Sequence, residues 1–375
     1  MGEEVFNGVS MSDGGVVFDG EQVPSHFGNP FREEEELREG RAFTDLSFLE
    51  AVEVSGPDRL SWLHNFATAD FLSATPGMSF ETIILDPNGH IDFAAAVAVR
   101  DEALMLIVDR GEVQRLFAFL ESMKFMLRVE NTVREIAVFG TQTSAAQVPD
   151  SARKLAAAVW EDPWPHTSPG GAHYGIPDEE HPAFHHHRTL IIADSSRHDD
   201  VRAALSAAGF TPAGFMAWEA SRIVDFRPRP ATEIVERALP HELDWIRTAV
   251  HLNKGCYRGQ ETVAKLVNLG KPPRRLVFLY LEGGENDLPP HGTPVKLGER
   301  PVGVVTSSAR DAEAGPVALA IIKRTVKLGD VLTVGEFIAT QEAIVDPQGK
   351  SSVSPQERPG AEFRQAQRLS EFGAR

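Results

Sequence analysis

One thiol stands among 375 residues, and its neighbours are unusual for a cysteine that merely fills space. Cys256 lies in Lys254–Gly255–Cys256–Tyr257–Arg258–Gly259–Gln260–Glu261, between two glycines that allow backbone angles closed to other residues and two cations. The stretch 260–267 is rich in helix formers until Gly270 ends it, with Pro272 and Pro273 beyond. The thiol therefore precedes a helix start, where unpaired N–H groups and the helix dipole favour an anion, and Lys254 and Arg258 add positive charge. That setting favours a thiolate able to attack an electrophile, carry sulfur as a persulfide, or ligate a metal together with ligands from a partner. Cys256 is the candidate reactive group and Lys254 the residue that would tune it. A small buried hydrophobe is the alternative for a lone cysteine.

The elements around this turn read as an antiparallel α+β pattern rather than a regular alternation of strand and crossover helix. A helix is expected around 58–66. Two strand-like runs then flank the turn Asp86–Pro87–Asn88–Gly89, which predicts a hairpin. A strand follows at 103–109. Val113, Leu116, Phe117 and Leu120 recur at helical spacing, and residues 125–129 and 134–140 return to strand character. Residues 161–188 are crowded with Pro, Gly and His, including His185–His187, and predict a long loop. Consecutive histidines share neither a helix face nor a strand face, so no metal site is assigned there. Helices are expected at 200–209 and 217–223. Strand-like runs at 275–281, 293–306, 316–323 and 331–344, parted by Gly and Pro turns, predict a small β-barrel. No repeat of twenty to fifty residues recurs.

Domain boundaries follow: an N-terminal extension at 1–40 with the acidic run Glu33–Glu36 solvated, a main region at 41–270 in two subdomains, a barrel at 271–345, and a disordered tail at 346–375. An apolar content of 42% allows a large core spread over two or three domains. The net charge of −17 argues against general adhesion to nucleic acid or to an anionic membrane. Lys254, Arg258, Lys265, Lys271, Arg274 and Arg275 form a local basic run suited to carboxylates. A single cysteine rules out an intramolecular disulfide, a CxxC pair and an all-cysteine cluster within one chain. With no basic region leading into an apolar stretch near Met1, a cytoplasmic protein is expected.

The octapeptide around Cys256 resembles the signature of the YgfZ family, folate-binding paralogues of the glycine-cleavage T-protein, an aminomethyltransferase. Residues 59–70, 86–92 and 301–310 resemble T-protein-like segments in the same order, and the resemblance covers about 41–345. It implies a T-protein-like multi-domain ring of antiparallel sheets with helices and a C-terminal β-barrel around a central folate cavity. It also implies tetrahydrofolate or another reduced folate as cofactor. Asp92, Arg222, Tyr257, Arg258, Gln260, Glu261 and Asn65 are the candidate folate contacts. Tyr257, Gln260 and Glu261 also suit local structural roles, and Asp92 a turn-supporting one.

Two departures separate this chain from the transferases it resembles. Those carry paired aspartates in a Gly-Gly-Val-Ile-Asp-Asp-like turn, whereas here Asp92 is followed by Phe93. Their Arg-Leu-Glu-Ala-Gly-like stretch has a glutamate that helps hold the pterin, whereas Val224 stands there two residues after Arg222. A one-carbon transferase needs a positioned acid or base at the folate nitrogen, so these changes weigh against transfer. The resemblance implies instead an accessory protein for building or repairing iron–sulfur clusters, including those of tRNA-modifying enzymes, with iron–sulfur client or assembly proteins as partners. A folate-dependent aminomethyltransferase and a folate-binding module without chemistry are the alternatives.

Overall fold

The computed structural model describes residues 9–12, 15–18, 21–268, 270–284 and 287–355. Its frame is two five-stranded sheets and a closed six-stranded barrel, the α+β architecture expected. In the first sheet the strand order is Ser79–Leu85, Ile91–Val99, Ala103–Val108, Glu50–Ser55 and Glu130–Arg134, all antiparallel. The hairpin falls on the expected turn. Asp86 Oδ1 accepts from the amides of Asn88 and His90, and Gly89 takes a left-handed φ of 85°. Helix Val113–Met123 packs Val113, Leu116 and Leu120 into the same core as Phe93, Val97 and Leu106.

The second sheet runs Ala158–Glu161, Thr189–Asp194, Ile136–Thr141, Ala42–Asp45 and Thr211–Pro212, antiparallel except for the last pair. Helices His198–Ala207 and Phe215–Val224 match the two expected ones, the first stopping before Gly209 at φ 93°. The barrel runs Arg274–Glu282, Gly315–Lys323, Arg300–Asp311, Pro294–Leu297, Leu332–Val334 and Phe337–Ala343, and closes on its first strand. Along Arg274–Glu282 the period of two decides the packing. Val277, Leu279 and Leu281 fill the barrel, while Leu276 and Phe278 face outward into a central cluster with Ile83, Trp164, Tyr174, Trp245 and Ile246.

Several expectations give way. Residues 125–129 are not a strand but the turn after helix Val113–Met123. Phe125 takes φ 46°, incompatible with a ladder, and Phe125 and Met126 are 94% and 96% exposed. The acidic run is not solvated as a whole. In helix Pro30–Arg38, Glu33 accepts from the amides of Phe27 and Gly214, and Glu34 lies buried against Arg38 and Asp311. Burial and its bond to Asp311 push the Glu34 carboxyl up to about 8. The chain beyond Val345 is held through residue 355: Asp346 N donates to Tyr174 O, Ser352 N to His173 O and Ser354 Oγ to Val267 O. The expectation of disorder for 356–375 lies outside the described residues.

The 161–188 segment is indeed short of regular structure, but its backbone is fastened inside the molecule. Arg247 donates to Pro165 O, Ile176 O and Asp178 from a fully buried position, and His181 is wedged against Trp164 and Phe226. Among the described residues no helix is long and apolar enough to cross a membrane.

Candidate functional site

The thiol turn is assembled on the segments that flank it in space. Gly259 has φ 81°, and a Cβ there would meet Asp86 O at 2.7 Å and Leu85 Cβ at 2.9 Å, so only glycine lets the turn sit against the 86–89 hairpin. Helix Gln260–Asn268 starts directly after it, and Gln260 Nε2 reaches back to Gly255 O at 3.5 Å. Cys256 is an exposed free cysteine, so the buried-hydrophobe reading does not hold.

Lys254 does something other than expected. Its ammonium donates to His64 O and Ala67 O at 2.6 Å and to Ala69 O at 2.9 Å. Burial pushes it down to about 8, countered by Asp70, and the three carbonyls also favour its charged form. It is a strut joining the turn to the 64–69 segment, with its donors committed there rather than to the thiol. Burial likewise raises the Tyr257 hydroxyl, whose ring lies 5.3 Å from the Lys254 ammonium. Arg258 lies over Phe119 at 5.8 Å, Glu261 is exposed, and Asn65 caps the helix Arg59–His64 on the surface.

Asp92 belongs to this side of the molecule too. Its carboxylate accepts from Arg115 Nη1 at 2.9 Å, Arg115 Nη2 holds its carbonyl, and the same guanidinium covers the Phe93 ring at 4.0 Å. Phe93 itself is buried in the core below. The position of a second carboxylate is thus filled by packing. The basic run does not converge either. Arg274 pairs with buried Glu242, and Arg275 is enclosed in the barrel, where it donates to Val326 O and Gln341 and burial pushes it down to about 10.

A second centre lies where the two sheets meet helix Phe215–Val224. It is a cavity of about 130 Å³ walled by Phe48, Trp160, Phe215, Trp218 and the small side chains Ala94–Ala96. Four arginines, Arg188, Arg222, Arg227 and Arg229, and four carboxylates, Glu81, Asp109, Asp162 and Glu219, converge on it. Each finds a partner. Arg227 bridges Asp162 and Glu81, Glu81 accepts in addition from Thr248, and Arg229 holds Asp109. Arg188 stacks over Trp218 at 4.2 Å and reaches Ser221 and Asp225. Burial raises the Glu81 carboxyl beyond what Arg227 compensates. Burial also pushes Glu219 up, but Arg222 and Arg229 outweigh it and hold that carboxylate below its ordinary range.

Of the residues singled out from sequence, only Arg222 lines this cavity; Cys256, Lys254, Asp92, Asn65, Tyr257, Arg258, Gln260 and Glu261 do not. The resemblance implies a thiol close to the folate, and Cys256 does not line this cavity. The hairpin turn at 86–89 and the 64–69 segment come together with the thiol turn, whereas the aromatic-walled cavity forms elsewhere. Sequence reading missed Glu81, Asp109, Asp162, Arg188, Glu219, Arg227 and Arg229. The close run Arg222, Arg227, Arg229 after one helix, with Pro228 and Pro230 between, was the available signal. A wider groove of about 910 Å³ adjoins at Asp162 and is lined by Arg100, Arg153, Trp164, His166, His186 and His187. Both are open to solvent, and the smaller one, with its aromatic walls and converging charged side chains, is taken as the candidate ligand site.

No protein-family model matches the chain. It is 27% identical to a chloroplastic protein of Arabidopsis thaliana named as a transferase, over 88% of this chain and 76% of that one. It is 28% identical to the aminomethyltransferase of Thermotoga maritima, over 85% and 88%, and 26% identical to that of Rippkaea orientalis, over 84% and 88%. The glycine cleavage system aminomethyltransferase T of Bartonella henselae superposes with a TM-score of 0.67 at 18% identity, covering 87% of this chain and 90% of that one. Sequence similarity along most of its length and a shared fold make this chain a homologue of the aminomethyltransferases.

Proposed function

We propose that this chain binds a reduced folate in the cavity beside helix Phe215–Val224 and acts, as its YgfZ-like octapeptide implies, as an accessory protein for iron–sulfur cluster assembly or repair, including clusters of tRNA-modifying enzymes. The observation that carries the folate part is the cavity itself: aromatic walls and buried polar groups in charge balance. At about 130 Å³ it is smaller than the ~150 Å³ of an apolar cavity that takes up one benzene ring, so it admits only part of a bicyclic pterin and the rest of the folate lies outside. When bound, a reduced folate supplies the nitrogen that carries one-carbon units. Trp218 and Phe48 offer flat surfaces to its ring, and the paired charges fix its edge without needing water.

The accessory role rests on the octapeptide and on what occupies the transferases' carboxylate position. Asp92 is tied to Arg115, and Phe93 is core, so a base at the folate nitrogen is lacking among the residues identified there. Cys256 is exposed, apart from the cavity, and free to meet a protein partner. A folate-dependent one-carbon transferase is the competing reading, supported by the names of the relatives. Titration with tetrahydrofolate by calorimetry, on wild type and Cys256→Ala, tests the first part: one-to-one binding by both is expected. Absence of binding by wild type removes the folate reading, and release of a one-carbon unit from a methylene-bearing folate at catalytic rates restores the transferase.

A further inference from the structure

Two neighbouring acids in helix Pro30–Arg38 tie the N-terminal arm to two different parts of the molecule. Glu33 accepts from the amide of Gly214 at 2.8 Å, and Met216 N donates to Ser25 O at 2.9 Å, so the arm holds the start of helix Phe215–Val224, a wall of the cavity. Glu34 reaches the barrel instead, where it meets Asp311 at the end of strand Arg300–Asp311.

That second contact has one carboxylate too many. Arg38 Nη2 donates to Glu34 Oε1 at 2.7 Å and, from the same nitrogen, to Asp311 Oδ2, and the two carboxyl groups are bonded to each other. Both are buried, with side-chain exposures of 1% and 2%. Main-chain amides serve the outer oxygens: Ala312 N donates to Glu34 Oε2, and Glu313 N and Ala314 N to Asp311 Oδ1. A hydrogen bond between two carboxyl groups needs a proton, and two anions this close on one guanidinium repel. The other charges on the elements packed here are engaged elsewhere or have the wrong sign. Glu313 is a further anion, Arg310 lies on the opposite face of its strand, and His186 of the 161–188 segment faces Arg38 but is bonded to Asp225. Helix Phe215–Val224 turns Glu219 and Arg222 to the cavity, and Asp45 of strand Ala42–Asp45 is paired with His198.

We propose that Glu34 and Asp311 share one proton and that this proton clasps the arm: its loss as pH rises leaves two anions on Arg38, loosens helix Pro30–Arg38 from the barrel, and with it the hold of Ser25 and Glu33 on the start of helix Phe215–Val224. The cavity wall is thereby coupled to pH through a pair that does not line the cavity. In the closed arm, burial and Asp311 keep Glu34 protonated up to about 8, whereas an opened arm returns it to its ordinary 4.5. Closing is therefore strongest in acid, weakens by up to about tenfold per pH unit between those two values, and levels off above the higher one.

Hydrogen exchange followed by mass spectrometry on the full chain between about pH 5.5 and 9, corrected for the intrinsic pH dependence of exchange, tests this with no ligand present. Peptides of helix Pro30–Arg38 and of the segment holding Gly214 and Met216 are expected to lose protection together, at least about tenfold from pH 6 to 8, while strand Arg274–Glu282 stays constant. Glu34→Gln, whose amide donates to Asp311 without titrating, is expected to hold that change below about threefold. Wild-type arm protection that does not fall with pH overturns the proposal. So does a folded Glu34→Gln protein that keeps the wild-type slope, which assigns it to another group such as His186. An arm that loosens while the Gly214–Met216 segment keeps its protection overturns the coupling to the cavity wall. Should Glu34→Gln not fold, the wild-type profile decides.

Discussion

The turn around Cys256 and the cavity around Glu219 both gather charge, but they neutralise it differently. In the turn, one ammonium is satisfied by three main-chain carbonyls, and the thiol beside it remains open to solvent. In the cavity, side chains satisfy side chains: Arg227 with Glu81 and Asp162, Arg229 with Asp109, Arg222 with Glu219 and Glu233. The first arrangement fixes a backbone and leaves a reactive group free. The second fixes side-chain atoms and leaves a shaped, charge-balanced space. A buried ionic network of this kind contributes little net stability when intact and costs much when broken from one side.

The largest effect is expected from breaking that network. Arg227→Ala strands two buried carboxylates and should lower unfolding stability by about 3–5 kcal/mol in urea titrations. Cys256→Ala should change it by less than about 0.5 kcal/mol. Similar losses for the two variants would erase the distinction between the regions.

Acid sharpens the same contrast, because neutral histidines sit in the interior. Burial holds His181 down to about 3 and His241 to about 4, below the ordinary value near 6.5. The unfolded chain therefore binds protons first, and stability present above pH 6.5 is lost as pH falls through those lower values. Each histidine adds a slope of up to about 1.4 kcal/mol per pH unit. His241→Leu should flatten the acid limb of a stability–pH curve, and an unchanged slope would count against this burial effect.

The turn is expected to report on the alkaline side. Lys254 loses its proton near 8 when folded but near 10.5 when unfolded, so its contribution to stability rises with pH across that window and is lost as pH falls back through 8. Lys254→Met should remove that slope and, by leaving three carbonyls without their donor, cost about 2 kcal/mol at pH 7. If Lys254 acts as a strut, the alkylation rate of Cys256 should change less than about threefold between low and high salt; a steep salt dependence would return Lys254 or Arg258 to the role of tuning the thiol.

The smallest effect is expected from the folate tail. The basic run expected to receive it is dispersed, with Arg274 on Glu242 and Arg275 inside the barrel. Lengthening the glutamyl chain should therefore alter affinity by less than about threefold, whereas a large gain at low salt would show that Lys265 and Lys271 collect the tail.

Much of the architecture was legible residue by residue. The Asp86–Gly89 turn, the helical spacing of Val113, Leu116 and Leu120, and the alternation of Val277, Leu279 and Leu281 are local patterns, and local backbone preference follows from near neighbours. So is the glycine-bounded thiol: Gly259 needs its positive φ whatever lies beyond. Residues 125–129 failed because an apolar run alone does not distinguish a strand from an exposed turn. Phe93 and Val224 mark the departure from the transferases in the sequence alone.

What the sequence by itself determined is therefore the kind of elements, their order, and the position of a single thiol in a turn ahead of a helix. Only the tertiary structure decided which charges meet. Arg227 and Glu81 are 146 positions apart, and Lys254 and His64 are 190 apart. No local preference encodes such a pairing. A buried charge must find a partner wherever packing delivers one, so the cavity and its charge balance came into being only when the two sheets closed on helix Phe215–Val224.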